Sequence, residues 1–220
     1  MPETPYPREP GYAQRYRDQR FRSGSGEGTD RRERSVLRNL LAAGQPAPGP
    51  WLDAPCGAGR MTDELPGPCV QVDRDPNMVR ACSNGHARAC ASVHALPFAD
   101  RAFAGVLCHR LLQHIPTRVE RIAILRELAR VTRGPIVVSF FDACSLQHLR
   151  RLLRRCLGKR RSSRTAVTRH AFLAELRDAG LLPVAVRALQ RFIAEQTLVL
   201  CERPPIRSPH SLDSTPSPRR

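Results

Sequence analysis

A chain of 220 residues with 41% apolar content has material for one domain with a sizeable core. No run approaches the roughly 18 apolar residues of a membrane span, and the opening MPETPYPREPGYAQRY lacks the apolar stretch of a secretory signal. The formal charge of +16, carried by 36 basic residues of which only Lys159 is lysine, favours contact with nucleic acid or anionic surfaces without naming the partner.

Residues 1–28 are rich in Pro, Gly, Arg and Ser, and the reading is a flexible arm over 1–30. Tyr12, Tyr16 and Phe21 are the points at which that arm would dock on the domain or on a ligand. Asp30 followed by Glu33 has the spacing of a capping box and predicts a helix near 31–43, ended by Gly44. QPAPGP is then a linker. Beyond it short apolar runs alternate with amphipathic stretches. Strands are predicted at 50–54, 69–73, 89–93, 103–108, 134–141, 183–189 and 196–202. Helices are predicted at 58–64, 76–84, 118–130 and 168–179. This alternation argues for an α/β sandwich. Only the short stretch around RFIAE separates the last two strands, too little for a parallel crossover, so they should form an antiparallel hairpin on a mostly parallel seven-stranded sheet. Residues 204–220 read as a disordered tail. The eight cysteines form no C-x-x-C pair and predict reduced thiols in a cytoplasmic protein. Cys82, His86, Cys90 and His94 recur at intervals of four, but Gly85 interrupts any helix that would align them, so no metal site is expected.

In a sheet of this kind ligands bind beyond the carboxyl ends of the strands. WLDAPCGAGR puts Asp53 at the end of the first strand, with Gly57 and Gly59 in the turn after it, where glycine lets backbone approach a ligand closely. No G-K-[ST] follows, and the third glycine of G-x-G-x-x-G is missing, which disfavours a pyrophosphate binder. Asp73 closes CVQVD, where a carboxylate can accept hydrogen bonds from both ribose hydroxyls of a nucleoside. Asp53 either braces the loop's backbone N–H groups or attracts a cationic ligand. An acid before this turn suits a cofactor bearing an ammonium and a sulfonium better than one bearing phosphates.

At this point the chain resembles the class I S-adenosylmethionine-dependent methyltransferases, over roughly 31–203. LDAPCGAGR resembles their first glycine motif in a Pro-Cys form, and VDRDPNMV the acid of the second strand with its turn and helix. HALPFADRAFAGVLCHRLLQHI resembles the passage from the third strand through an LPF turn into the fourth, and LRELARVTRGPIVVSFFD the helix and fifth strand. The resemblance implies a Rossmann-like three-layer sandwich and S-adenosyl-L-methionine as cofactor. It further implies that Gly57 and Gly59 approach the methionine part, that Asp73 holds the ribose, that Met78 lies near the adenine, and that Leu96 and Phe98 border its pocket. Core packing remains the alternative role for Met78, Leu96 and Phe98. Two positions depart from the pattern. Ser92 stands where many relatives carry an Asp that accepts from the adenine amino group, and Ala104 follows Phe103 where many have Phe-Asp.

His109 and His114 follow the fourth strand and are the candidate catalytic, substrate-facing residues, with packing or capping as the alternative for each. Arg110 between them would orient an anionic acceptor. The N-P-P-Y or N-P-P-F signature of amino-methylating nucleic-acid enzymes is replaced by CHRL. The expectation is methylation of a small-molecule acceptor at oxygen or nitrogen. The alternatives are an RNA methyltransferase and a catalytically weak relative that binds RNA or a protein partner through its basic surface. The basic insertion 143–170 holds nine Arg and Lys residues and no acid, with Leu146, Leu149, Leu152 and Leu153 on one approximate helical face. It reads as a lid, an anionic-lipid surface helix or an RNA-contacting element.

Overall fold

The computed structural model describes residues 11–19, 24–44, 48–157 and 164–204. The strands are β1 (Trp51–Asp53), β2 (Cys69–Asp73), β3 (Ala87–Cys90), β4 (Gly105–Cys108), β5 (Ile136–Phe141), β6 (Leu182–Ala188) and β7 (Gln196–Glu202). The central apolar runs become strands buried on both faces, as a sheet between helical layers requires, while the two edge strands β3 and β6 stay partly exposed. The sheet order is β3-β2-β1-β4-β5-β7-β6. β1 to β5 pair in parallel, and β7 runs antiparallel to both β5 and β6. The expected reversed strand is therefore present, inserted between β5 and β6. β1 pairs with β2 on one side and β4 on the other, so the strand order reverses there and a crevice opens at their carboxyl ends.

Alternation along the strands divides the core between the two faces. Val138 and Val106 join Ile124, Leu125 and Leu128 of α4 (Arg118–Val131) and Phe172 of α6 (Arg169–Asp178). Val137 and Leu107 join Leu37 and Leu40 of α2 (Gly24–Ala43) on the other face. Thr117 caps α4 by accepting from Glu120 N–H, and Thr168 caps α6 by accepting from Ala171 N–H. A buried Arg121–Glu175 pair ties these two helices together. No described helix is long and apolar enough to cross a membrane.

The structure differs from expectation at both flanks of the first strand. The arm expected to be flexible carries α1 (Tyr12–Gln19), and α2 begins at Gly24 instead of residue 31. Ala13, Tyr12 and Tyr16 pack with Ala58, Met78 and Ala81, and Arg17 Nη1 donates to the Ala81 carbonyl (2.8 Å). Asp30 and Glu33 are thus inside a helix and do not form a capping box. The helix expected at 58–64 is reduced to a 3₁₀ turn, Thr62–Glu64, because the residues before it form a left-handed glycine loop. α3 (Pro76–Ala81) is capped by Asp75 and ends three residues early. The insertion contains α5 (Leu146–Cys156). The tail from 205 onward lies outside the described residues.

Candidate functional site

The loop after β1 is shaped from below. Asp53 is 1% exposed, and its Oδ2 accepts from the Thr62 hydroxyl at 2.6 Å. Thr62 Oγ1 in turn accepts from Gln71 Nε2 (2.8 Å), which also donates to Asn84 Oδ1 (2.9 Å). Asn84 Nδ2 returns to the Gly59 carbonyl (3.2 Å). This relay holds the loop, with Asp53 bracing it through Thr62. Gly59 (φ 76°) has no room for a Cβ, which would stand 2.5 Å from Gln71 Nε2. Gly57 (φ 56°) is the opposite case: nothing lies within 4 Å of the place a Cβ would take, so the loop presents open space there.

Asp73 ends β2 beside that space. Its Oδ2 accepts from Gly57 N–H (3.0 Å) and its Oδ1 from Asp75 N–H (2.9 Å). Each carboxylate oxygen has a second acceptor direction. The residues present therefore fit a nucleoside-bearing cofactor: an acid able to accept from hydroxyls, a bare glycine, and an apolar wall. Met78 belongs to that wall, 3% exposed in the cluster with Ala58 and the α1 tyrosines. α1 thus closes over the glycine loop, a role that the mainly polar arm announced only through Tyr12 and Tyr16.

The remaining cofactor candidates are spread differently. Ser92 is half-buried, and its Oγ lies 3.1 Å from His94 Nδ1 and accepts from His94 N–H (3.3 Å). Leu96 is buried in the main core, its N–H donating to Glu127 Oε1 (2.7 Å), and Phe98 meets Phe103 edge-on. Ala104 sits at the amino end of β4, where its N–H donates to the Pro50 carbonyl, so its missing carboxylate is at the far end from the glycine loop.

At the carboxyl end of β4 a charge cluster replaces the expected open histidine. Glu33 of α2 is fully buried. It pairs with Arg60 of the glycine loop (2.6 Å) and Arg110 (2.6 Å), and Arg60 also pairs with Asp30. His109 is 7% exposed with Nε2 3.6 Å from Glu33 Oε1, so it faces α2 and is not a rim residue. Burial pushes its pKa down to about 3 despite the Glu33 charge, which keeps the imidazole neutral. His114, by contrast, is exposed at the end of a 3₁₀ turn, Leu112–His114. Next to it the buried Gln113 Oε1 has no hydrogen-bond partner among the described residues, a position sequence reasoning passed over. Past β5, the Arg151 and Arg164 guanidinium carbons each lie 5.8 Å from the ring centroid of Phe141.

Thr62, Gln71, Asn84, Arg60 and Glu33 are the functional supports that the sequence reading missed. Gln71 had a visible signal, a polar residue inside the buried strand CVQVD.

Residues 52–135 match the family model described as a methyltransferase domain. No curated protein sequence matches the chain. Among solved structures, magnesium protoporphyrin IX methyltransferase from Synechocystis PCC 6803 with bound S-adenosylhomocysteine superposes with a TM-score of 0.71 at 17% identity, covering 90% of this chain and 96% of that one. A Thermotoga maritima protein described as an S-adenosylmethionine-dependent methyltransferase and possible histamine N-methyltransferase has a TM-score of 0.62 at 14% identity, covering 80% and 91%. With the matched segment running from β1 to the start of β5, and the sheet order and reversed strand extending the likeness across the domain, the chain carries a methyltransferase-domain match on the fold shared with S-adenosylmethionine-dependent methyltransferases.

Proposed function

We propose that the protein transfers a methyl group to oxygen or nitrogen of a small-molecule acceptor with an apolar body and an anionic group. The observation that carries this reading is the pair of guanidiniums, Arg151 and Arg164, each 5.8 Å from the ring of the buried Phe141 at the end of β5. Two cations at the carboxyl end of the sheet, one of them also paired with Glu195, favour an anionic acceptor by charge. The porphyrin and histamine enzymes named above, which share the fold at low identity, also act on small molecules according to their descriptions.

S-adenosylmethionine supplies, when bound, an electrophilic methyl group on a sulfonium. Asp73, held by Gly57 and Asp75 N–H groups, would accept from the ribose hydroxyls. Tyr12, Tyr16 and Met78 would keep water from that side, and Gly57 leaves space that the cofactor's chain would take. Much of the rate then comes from holding the acceptor lone pair in line. His114 is the exposed group able to take a proton from a hydroxyl acceptor, while neutral His109 lies buried beside Glu33.

Calorimetric titration with S-adenosylhomocysteine, followed by an acceptor screen, tests the reading. The expected result is one-site binding that Asp73→Ala abolishes, and transfer to small apolar anions whose KM rises about tenfold in Arg164→Gln. Methyl transfer to RNA with no small acceptor found would overturn it.

A further inference from the structure

α5 is mounted the wrong way round for a helix that covers a core. Its polar side faces the domain. Gln147 Oε1 accepts from Glu195 N–H (3.0 Å), and Arg151 Nη1 lies 3.1 Å from Oε2 of the buried Glu195. Its leucines point away: Leu149 is 52% exposed, Leu153 55%, and Leu146 and Leu152 are also exposed. The turn before β7 continues this apolar surface. Phe192 and Ile193 are exposed, and their carbonyls accept from Leu146 N–H and Gln147 N–H, which places them against the first turn of the helix. Phe192 takes φ 63°, a costly conformation for an aromatic residue, and still stands 71% exposed. Arg150 and Arg154 are exposed beside the leucines, and the Arg191 guanidinium lies 4.8 Å from the Phe192 ring. α5 carries no acidic residue.

We infer that α5 and the Phe192–Ile193 turn dock the protein on an anionic lipid surface, leucines in the acyl boundary and arginines among the headgroups. A helix with an apolar face, an arginine margin and no acid matches that interface. A second copy of the chain is a poor occupant, because mating two leucine faces would oppose two rows of arginines. RNA has no use for the leucines. Because α5 follows β5, docking would turn the acceptor end of the sheet towards the membrane. The inference does not depend on the identity of the acceptor.

Vesicle co-sedimentation of the full chain tests it, with phosphatidylcholine vesicles compared against phosphatidylcholine–phosphatidylserine vesicles. The overall charge of +16 attracts the protein to anionic vesicles by itself, so the leucines provide the discriminating readout. The charge-neutral pair Leu149→Gln/Leu153→Gln should lower partitioning onto the anionic vesicles at least about tenfold. Affinity for S-adenosylhomocysteine should stay unchanged, which separates this result from failure of the methyltransferase reading or of folding. Phe192→Ser should weaken binding in the same direction. Binding that neither variant reduces, or no preference for the anionic vesicles, would overturn the inference. So would a solution dimer that the leucine substitutions dissolve.

Discussion

Asp53 lies fully buried, and burial drives its pKa up to about 7, against the Thr62 hydrogen bond that lowers it and with the nearby Asp73 charge that raises it further. A carboxyl group at that value is protonated in the folded protein over a range where the unfolded chain, with a pKa near 4, is ionised. Its contribution to stability is therefore fully present below about pH 4 and is lost as pH rises through about 7. Asp53→Asn should raise urea stability by about 2–3 kcal/mol more at pH 8 than at pH 5. An equal effect at both pH values would mean that Asp53 is ionised throughout. His109 has the opposite dependence. Its folded pKa, about 3, is below the unfolded value near 6.5, so stability falls as pH drops from about 6.5 towards 3. His109→Gln should remove that acid sensitivity in denaturation measured between pH 4 and 6. Any acid limb in the rate profile should survive the substitution, since a neutral buried imidazole is not the titrating base.

The helix α2 acts as a latch on the glycine loop, and Glu33 is its centre. Burial pushes the Glu33 carboxyl up, but the Arg110 and Arg60 charges outweigh it and hold the group below the usual carboxylate range. Glu33→Gln leaves two arginines competing for a neutral amide, and should cost about 3 kcal/mol in chemical denaturation. Because Arg60 belongs to the loop, affinity for S-adenosylhomocysteine should fall as well. A variant with lower stability but unchanged affinity would show that α2 supports the sheet without shaping the loop. The sequence showed these acids plainly, yet their three-residue spacing suggested a helix cap. The difference is tertiary: a capping box is satisfied locally, whereas Glu33 is satisfied by Arg60 and Arg110, 27 and 77 residues away. The same holds for α1, whose polar sequence gives little reason to fold alone and whose burial comes from Met78 and Ala58.

For the molecule as a whole, what was legible was what repeats along the chain. Apolar runs gave the sheet, and the short connection between the last two strands gave the reversed β7, because strand direction follows from connection length. Asp73 and the glycines stood out in the sequence because a tight turn beside a strand end needs special residues at fixed spacing. The Asp53–Thr62–Gln71–Asn84 relay was not, since it joins residues from separate elements that only the folded sheet brings together. That distribution has a consequence for stability. The cofactor cleft is assembled from α1, the loop held by α2, the end of β2 and α3, so occupation by a ligand couples parts of the chain that have few other reasons to stay together. A ligand that binds only the folded state at a hundredfold excess over its Kd stabilises by about 2.7 kcal/mol, a rise in Tm of about 5–10 °C for a domain of this size. S-adenosylhomocysteine should produce that shift in the intact protein. Asp73→Ala should melt near the unliganded protein and gain nothing from the ligand, while Tyr12→Ser/Tyr16→Ser should keep a reduced shift, because α1 covers the cleft while Asp73 grips what lies in it. If the tyrosine pair lost the entire shift with an unchanged unliganded Tm, α1 would itself be an essential wall of the cofactor site.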